Sequence, residues 1–334
     1  MNDLPEISVV MSACNDAAHL PRAIESILSQ EGVGIEFIIV NDGSTDGSER
    51  ILGDYARRDP RIRVLEQSNR GLTLALIRGC AEARGEFIAR QDADDESMPG
   101  RLQRLARRLN SDARLAFASS WAQTVGPEGE LMADLTRPED PVVATSELLD
   151  QRIGPPGHGS VMFRRRTYEE VGGYRPEFYY GQDSDLWLRL AARDMIAYEQ
   201  AFLYRFRYDP RGISGRQRRL QKLFGEIGRE CHAARRRGES EEGLLAEAAK
   251  LKAGILASRG TAPSSGMALS AGYYFVGAAL ERRGDVRAAG YLWQAIRRNP
   301  LHARAWAKLA RLTLRRGRRR MPGGMDAAPG EKRV

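Results

Sequence analysis

The chain has 334 residues, 42% of them apolar and 29% charged, which suits a soluble globular protein with one large domain and a smaller one. No run approaches the roughly 18 consecutive apolar residues of a membrane span. The first residues, Met1 to Glu6, lack the basic start and apolar stretch of a signal peptide. The net charge of +8 is uneven: residues 204–334 carry 29 Lys/Arg against 11 Asp/Glu, a net of +18, which leaves −10 on residues 1–203. A basic C-terminal third can meet anionic lipid, a phosphorylated substrate or nucleic acid, or simply form a solvated helical surface. Cys14, Cys80 and Cys231 are odd in number and fit no zinc spacing, so a reducing cytoplasm is the expected setting.

The first two hundred residues alternate short apolar runs with helical periodicity. Strands are predicted at Ile7 to Met11, Phe37 to Val40, Ile62 to Leu65 and Phe87 to Ala89. Between them, helices are predicted around Leu20, Ile24, Ile27 and Leu28, after Asp46, and over Leu72 to Ala83. Asp46 with Glu49 reads as a capping box, and Pro99 as the first position of a further helix. Repeated βα units with short links imply an α/β fold, a mostly parallel sheet with helices on both faces. Later strands are predicted at Leu115 to Ser119, Ser160 to Phe163 and Ile196 to Phe206. Residues 126–141 and the Gly154 to Gly159 segment read as loops, and Asp183 to Arg193 as an amphipathic helix.

Beyond residue 215 the sequence turns helical and basic. Residues 258–266 read as a linker or helix break, and residues 268–315 as paired helices. Tyr274, Ala278, Gly284, Ala288, Ala295, Pro300 and Trp306 resemble a single tetratricopeptide-like unit. Three regions are therefore expected: 1–215 as the α/β domain, 216–315 as a smaller α-helical domain, and 316–334 as a disordered basic tail.

The chemistry concentrates at the strand ends. Phe87 to Ala89 runs into Asp92, Asp94 and Asp95. Three carboxylates this close repel one another unless a hard cation with oxygen ligands relieves them. The plainer reading is an acidic start to the following helix, favoured by its dipole. In an open α/β sheet, ligands bind at the carboxyl ends of the strands. A nicotinamide-type dinucleotide is not expected, because no Gly-x-Gly-x-x-Gly follows the first strand.

Four motifs then stand in order: Ile7 to Asn15, Val40 to Asp46 (Val-Asn-Asp-Gly-Ser-Thr-Asp), Asp92-Ala-Asp-Asp95, and Gln182-Asp-Ser-Asp-Leu-Trp-Leu-Arg189. Over about residues 5–215 they resemble the family-2 glycosyltransferases. The resemblance implies a GT-A fold, a nucleoside-diphosphate sugar donor with a UDP-sugar as first expectation, Mg²⁺ or Mn²⁺ as cofactor, and inversion at the anomeric carbon. By the same resemblance Ser12 and Asn15 line the nucleotide, Asp42 meets the base, Asp92 faces the ribose and the metal, and Asp94 holds the metal. Arg70, Arg78 and Arg207 are expected to contact ribose or phosphates. His158 and Gln182 lie on the acceptor side, and Asp183 is the expected general base. Two positions depart from the family pattern: Cys14 stands where an aromatic residue usually stacks on the base, and Arg207 where a histidine is common. Asp42 also reads as part of a turn and cap, and Asp185 is the structural alternative to Asp183.

The function expected is transfer of a sugar to a hydroxyl of a glycan or lipid-linked acceptor, in the cytoplasm or at the inner face of a membrane. The basic C-terminal region is the expected membrane or protein contact, and no nucleic-acid partner is expected. The alternative is a catalytically inactive GT-A domain acting as a nucleotide-sugar or partner-binding module. A loop from Arg205 to Ser214 is expected to close over the donor.

Overall fold

The computed structural model describes residues 5–212, 215, 217–257 and 266–319. It divides into two compact units, Met1–Pro263 and Ser264–Val334.

The first unit is organised by one nine-stranded sheet. Strands β1 (Ile7–Ala13), β2 (Ile35–Asp42), β3 (Ile62–Gln67) and β4 (Phe87–Asp92) are parallel and lie in the order β3-β2-β1-β4. Their alternating residues feed two separate cores, because successive side chains of a strand point to opposite faces. Val9, Met11, Phe37, Ile39, Phe87 and Ala89 pack on one face with helices α1 (Leu20–Leu28), α2 (Ser48–Arg58) and, later in the chain, α4 (Arg101–Asn110). Val10, Ile38 and Ile88 pack on the other face with α3 (Leu72–Ala81) and with α7 (Gln182–Ala191). Burial on both faces explains why β1, β2 and the start of β4 read as continuous apolar runs, while the edge strand β3 is only partly buried.

Beyond β4 the sheet becomes mixed. The order continues β4-β8-β6-β9-β5, with β5 (Glu96–Ser97), β6 (Leu115–Val125), β8 (Met162–Arg164) and β9 (Met195–Arg207), while β7 (Leu131–Leu135) pairs with β6. The β6–β9 pair is parallel; β8, β7 and β5 each run antiparallel to their neighbours. Two short helices, α5 (Pro141–Ser146) and α6 (Arg165–Glu170), complete this half.

Three local expectations are corrected. Residues 126–141 are not all loop, since β7 folds back on β6 there. The helix expected from Pro99 begins at Arg101, because Gly100 at φ 76° stands in the left-handed region at its N-cap, and Glu96 and Ser97 before it pair with β9. The capping box at Asp46 and Glu49 does not form. Gly47, at φ 93°, occupies the N-cap of α2, and Asp46 instead accepts from the Ser48 N–H at 3.0 Å and the Ser48 hydroxyl at 2.6 Å.

Helices α8 (Arg218–Arg237) and α9 (Glu242–Ala257) belong to the first unit, although the sequence grouped them with the C-terminal region. Their anchor is a small core in which Phe178 meets Phe224, Ile227, Cys231 and Ala248. The second unit holds α10 (Gly266–Arg282), α11 (Ala288–Arg298) and α12 (Ala303–Arg319). A Cβ at Gly277 would press into Leu292, so the glycine lets α10 and α11 approach closely, and the Ser270 hydroxyl donates to the Ala295 carbonyl at 2.8 Å. The expected linker falls almost wholly outside the described residues, as does the tail from residue 320; α12 itself runs on through Arg319. Among the described residues no helix is long and apolar enough to cross a membrane.

Candidate active site

The parallel strands place their C-terminal ends side by side, and most of the residues singled out in the sequence sit there. Ser12 pairs in register with Val40 on one side and Asp92 on the other. Just past β1, Asn15 adopts φ 61°, a left-handed conformation that asparagine tolerates. Its amide donates to the Ser44 hydroxyl at 3.1 Å, and its Oδ1 accepts from the Thr45 N–H at 2.7 Å. The ends of β1 and β2 are thereby tied into one rim. Cys14 occupies this rim with its sulfur 3.0 Å from the Asn69 amide nitrogen.

Asp42 is buried at the end of β2. Its carboxylate accepts from Gln67 Nε2 at 2.8 Å, from the Arg70 N–H at 2.7 Å and from the Gly71 N–H at 2.8 Å. It therefore shapes the turn after β3, and of about four acceptor places on a carboxylate one is left over. Arg70 enters this network through its backbone, with its side chain exposed. Arg78 donates to the Glu66 carbonyl at 2.6 Å and to Gln67 Oε1 at 3.4 Å, bracing the same strand end.

The acidic turn after β4 carries the strongest electrostatics. Asp92 is paired with Arg90, whose Nη2 lies 2.7 Å from Oδ1. The Asp94 carboxyl is pushed up to about 7 by burial, then by the charges of Asp92 and Asp16. Asp95 is buried and raised well above the usual range, first by burial and then by Asp94 and Asp92; its Oδ1 accepts from the Arg207 N–H at 2.7 Å. Asp16, which the sequence reading passed over, is pushed up to about 6, chiefly by burial and further by Asp46 and Asp92. Its position directly after Asn15 was the available signal, a carboxylate at the neighbouring strand end.

Among the described residues no group of three or more His, Cys, Asp or Glu side chains is gathered as a complete metal cage. The donor set at the turn still suits a hard divalent ion. Asp92 and Asp94 would supply oxygen ligands, and Mg²⁺ is commonly held by one or two carboxylates together with substrate phosphates and water. The repulsion that lifts the Asp94 carboxyl is the kind of strain a cation removes.

Arg207 uses its guanidinium on the chain itself: Nε donates to the Asp94 carbonyl at 3.1 Å, and Nη1 to the carbonyls of Gly126 and Pro127 at 3.1 and 2.8 Å. It clamps the acidic turn to the end of β6. The loop expected to close from Arg205 to Ser214 begins inside β9, and Ile213 and Ser214 lie outside the described residues. Tyr204 supports the turn from the other side, its hydroxyl accepting from the Asp92 N–H at 3.2 Å. A Cβ at Gly159 would overlap that hydroxyl, so only glycine leaves room for it. Arg101, fully buried, donates to the carbonyls of Arg90 and Gly159 at 2.7 and 2.6 Å and lies over the Tyr204 ring.

Asp183 stands in the first turn of α7, behind the N-cap Gly181 at φ 67°. Burial raises its carboxyl above the ordinary aspartate value, and Asp92 raises it further; the Ser184 N–H, donating at 2.8 Å, opposes both. Two carboxylates 91 residues apart in the chain thus feel each other across one site. Asp185 has a different role: it is fully buried and paired with Arg189 at 2.7 Å, with Arg175 at 3.5 Å. Gln182 is buried beside Asp183. His158 accepts at Nε2 from the Tyr174 hydroxyl at 2.6 Å and from Arg90 Nε at 3.4 Å, with its ring edge-on to Trp187. Burial, and then the Arg90 charge, hold it well below the usual histidine value, so it is a neutral wall residue.

Residues 8–172 match the model of glycosyl transferase family 2. A relative in Bacillus subtilis (strain 168), named "Putative glycosyltransferase EpsE", is 33% identical over 216 residues, 63% of this chain and 75% of that protein. The chain belongs to glycosyltransferase family 2. The hyaluronan synthase of Pasteurella multocida is 28% identical over 192 residues, which span 57% of this chain and 19% of that longer protein. Among solved structures, the mannosyltransferase PcManGT of Pyrobaculum calidifontis, in complex with GDP-Man and Mn²⁺, superposes with a TM-score of 0.54 at 18% identity. The match covers 96% of this chain and 89% of that one. TarS residues 1–349 of S. aureus superpose with a TM-score of 0.52 at 15% identity, covering 93% and 92%. The expected GT-A fold is thereby confirmed, and the family-2 domain is a glycosyltransferase domain.

Proposed function

We propose that this family-2 chain is an inverting, metal-dependent glycosyltransferase that moves a sugar from a nucleoside-diphosphate donor to an acceptor hydroxyl, with Asp183 as general base. The observation that carries the reading is the convergence of Asp183, on α7, with Asp92, at the end of β4, on one site at the carboxyl edge of the sheet.

The remaining acceptor place on Asp42 can take a ring N–H of the base, while the Ser12 to Asn15 rim lies beside it. Asp92 and Asp94 would hold Mg²⁺ or Mn²⁺. When bound, the cation neutralises charge on the departing diphosphate. Arg207 holds the Asp94 turn in place through backbone carbonyls, and Tyr204 and Arg101 hold the Asp92 end. Asp183 takes the acceptor proton as the oxygen attacks. Its raised carboxyl makes it a stronger base than a solvated aspartate and keeps its proton affinity nearer the working pH. Attack from the side opposite the leaving group inverts the anomeric carbon. A UDP-sugar is the first donor to try, and a cell-surface glycan or lipid-linked saccharide the acceptor class. The basic C-terminal helices, in a tetratricopeptide-like arrangement, are proposed as a membrane or protein contact in the cytoplasm.

The test is a thermal-shift screen of UDP-, GDP- and dTDP-sugars with and without Mn²⁺, since a bound donor raises stability by mass action. Metal-dependent stabilisation by at least one donor is expected, lost in Asp94→Asn and retained in Asp183→Asn. Absence of any metal-dependent shift across the panel overturns the reading, as does a product with retained anomeric configuration by NMR.

A further inference from the structure

A cavity of about 820 Å³ opens behind the catalytic helix, between α7, the π-helical turn Glu147–Gln151 and α8. Ser184, the neighbour of Asp183, is part of its wall, and so is Trp187, whose ring meets His158. Leu148 and Leu188 add to its apolar side. The opposite side is cationic, with Arg152, Arg229 and Arg236 around it.

Two observations show that this wall lacks a partner. His232 is only 7% exposed, it lines the cavity, and neither of its ring nitrogens has a hydrogen-bond partner. A buried polar group without a partner is costly, and this imidazole, whose nitrogens are closed off from solvent, gains a partner only by turning toward the cavity it lines. The second observation concerns the guanidiniums. Arg229 is held below the usual arginine value by burial and then by the charge of Arg152, so two cations are held together. Arg152 also adopts φ 65°, in the left-handed region, which is strained for a side chain of its size. Acids answer only part of this charge: Asp150, in the wall itself, meets Arg236 at 3.5 Å, Glu226 meets Arg229 at 3.8 Å, and Glu230, also in the wall, acts on Arg229.

We propose that this cavity binds a phosphate group of the acceptor, so that the hydroxyl presented to Asp183 belongs to a phosphate-bearing molecule. The proposal rests on the glycosyltransferase reading and names the acceptor class for that same site. Guanidinium forks match phosphate oxygens in pairs. A dianion satisfies two arginines and has an oxygen to spare for a turned His232 ring, whereas a carboxylate is matched by one fork. The apolar side accommodates whatever the phosphate is attached to. The phosphate belongs either to a lipid headgroup or to a water-soluble phosphosaccharide.

The test uses the full chain and inorganic phosphate as the probe. The imidazole signals of His232 are assigned by comparison with His232→Asn and followed by NMR as phosphate is added. A saturable shift in the millimolar range is expected, weakened at least about tenfold in the Arg152→Ala/Arg229→Ala double variant, with the melting temperature of that variant checking that it remains folded. A shift that is absent, unsaturable or unchanged in the double variant overturns the proposal. Co-sedimentation then separates the sources. Binding to vesicles containing phosphatidate but not to pure phosphatidylcholine, lost in the double variant, supports a lipid phosphate; a saturable phosphate shift without vesicle binding supports a soluble one. The Mn²⁺-dependent donor shift is measured on the wild-type chain beside the phosphate titration. Donor binding retained without a phosphate response defeats only this proposal, and a phosphate response without any donor binding defeats only the reading it rests on.

Discussion

Arg90 and Asp92 lie on the same face of β4, two residues apart, and the arginine Nη2 sits 2.7 Å from Asp92 Oδ1. The arginine side chain is completely buried, while the carboxylate is 28% exposed at the mouth of the site. The pair works as a lever: a buried cation, also held by the Val10 and Gln91 carbonyls, fixes the direction of a carboxylate at the end of β4. Arg90 donates to His158 as well, so one guanidinium joins the end of β4 to the segment before β8.

Replacing Arg90 should therefore damage stability more than an exposed salt bridge would. Arg90→Met fills similar volume but leaves the Val10 and Gln91 carbonyls without their donor. We expect a loss of about 3 kcal/mol in urea unfolding. A loss below about 1 kcal/mol would mean that water or a neighbour replaces the guanidinium.

Asp183→Asn should leave donor binding intact and lower kcat by roughly 10²–10⁴, the usual contribution of a general base. The pH dependence carries its own sign. A base must be unprotonated to act, and burial raises the Asp183 carboxyl. The acid limb of kcat in the wild-type chain should accordingly lie above the ordinary aspartate value, and it should vanish from the residual activity of the variant. An acid limb unchanged by the substitution would assign it to another group.

Asp94→Asn should abolish metal-dependent turnover while the fold survives. Removing one anion from a crowded turn relieves repulsion in the absence of metal, so the melting temperature without Mn²⁺ should stay level or rise. The stabilisation by Mn²⁺ with donor should disappear. If Mn²⁺ and donor still raise the melting temperature of the variant, the ion is held by other residues.

Much of the fold and part of the site could be read from the chain. Strands β1, β2 and β4 were legible because each is buried on both faces, and such strands form apolar runs such as Phe37 to Val40. The acidic turn was legible because three carboxylates after an apolar strand have few structural reasons to be there. What could not be read depends on long-range pairing. Glu96 and Ser97 become a strand only because β9 passes beside them, and β7 exists only as a partner for β6. The same holds for roles: Arg207 spends its donors on carbonyls of Asp94, Gly126 and Pro127, which lie 80 or more residues away. Nor did local pattern show that α8 and α9 pack with the catalytic unit, since their anchor, Phe178, comes from a loop with no periodicity of its own.

Asp16 offers a prediction that separates electrostatics from catalysis. Burial lifts its carboxyl to about 6, and Asp46 and Asp92 add to this against the Cys14 N–H, which donates to it at 2.9 Å. Between the ordinary aspartate value and about 6, the folded chain keeps a proton that the unfolded chain has released. Where the unfolded state binds fewer protons, stability falls as pH rises. Asp16 should thus weaken the ligand-free fold increasingly across that window, and at neutral pH the whole penalty is present. Asp16→Asn keeps an oxygen for the Cys14 N–H while deleting the charge. We expect it to stabilise the ligand-free protein near neutral pH by on the order of 1 kcal/mol, and to change little below about pH 3, where the aspartate is protonated in both states. Urea unfolding at the two pH values measures the difference directly. Equal effects at both would show that Asp16 acts through packing rather than through its place among the carboxylates at the strand ends.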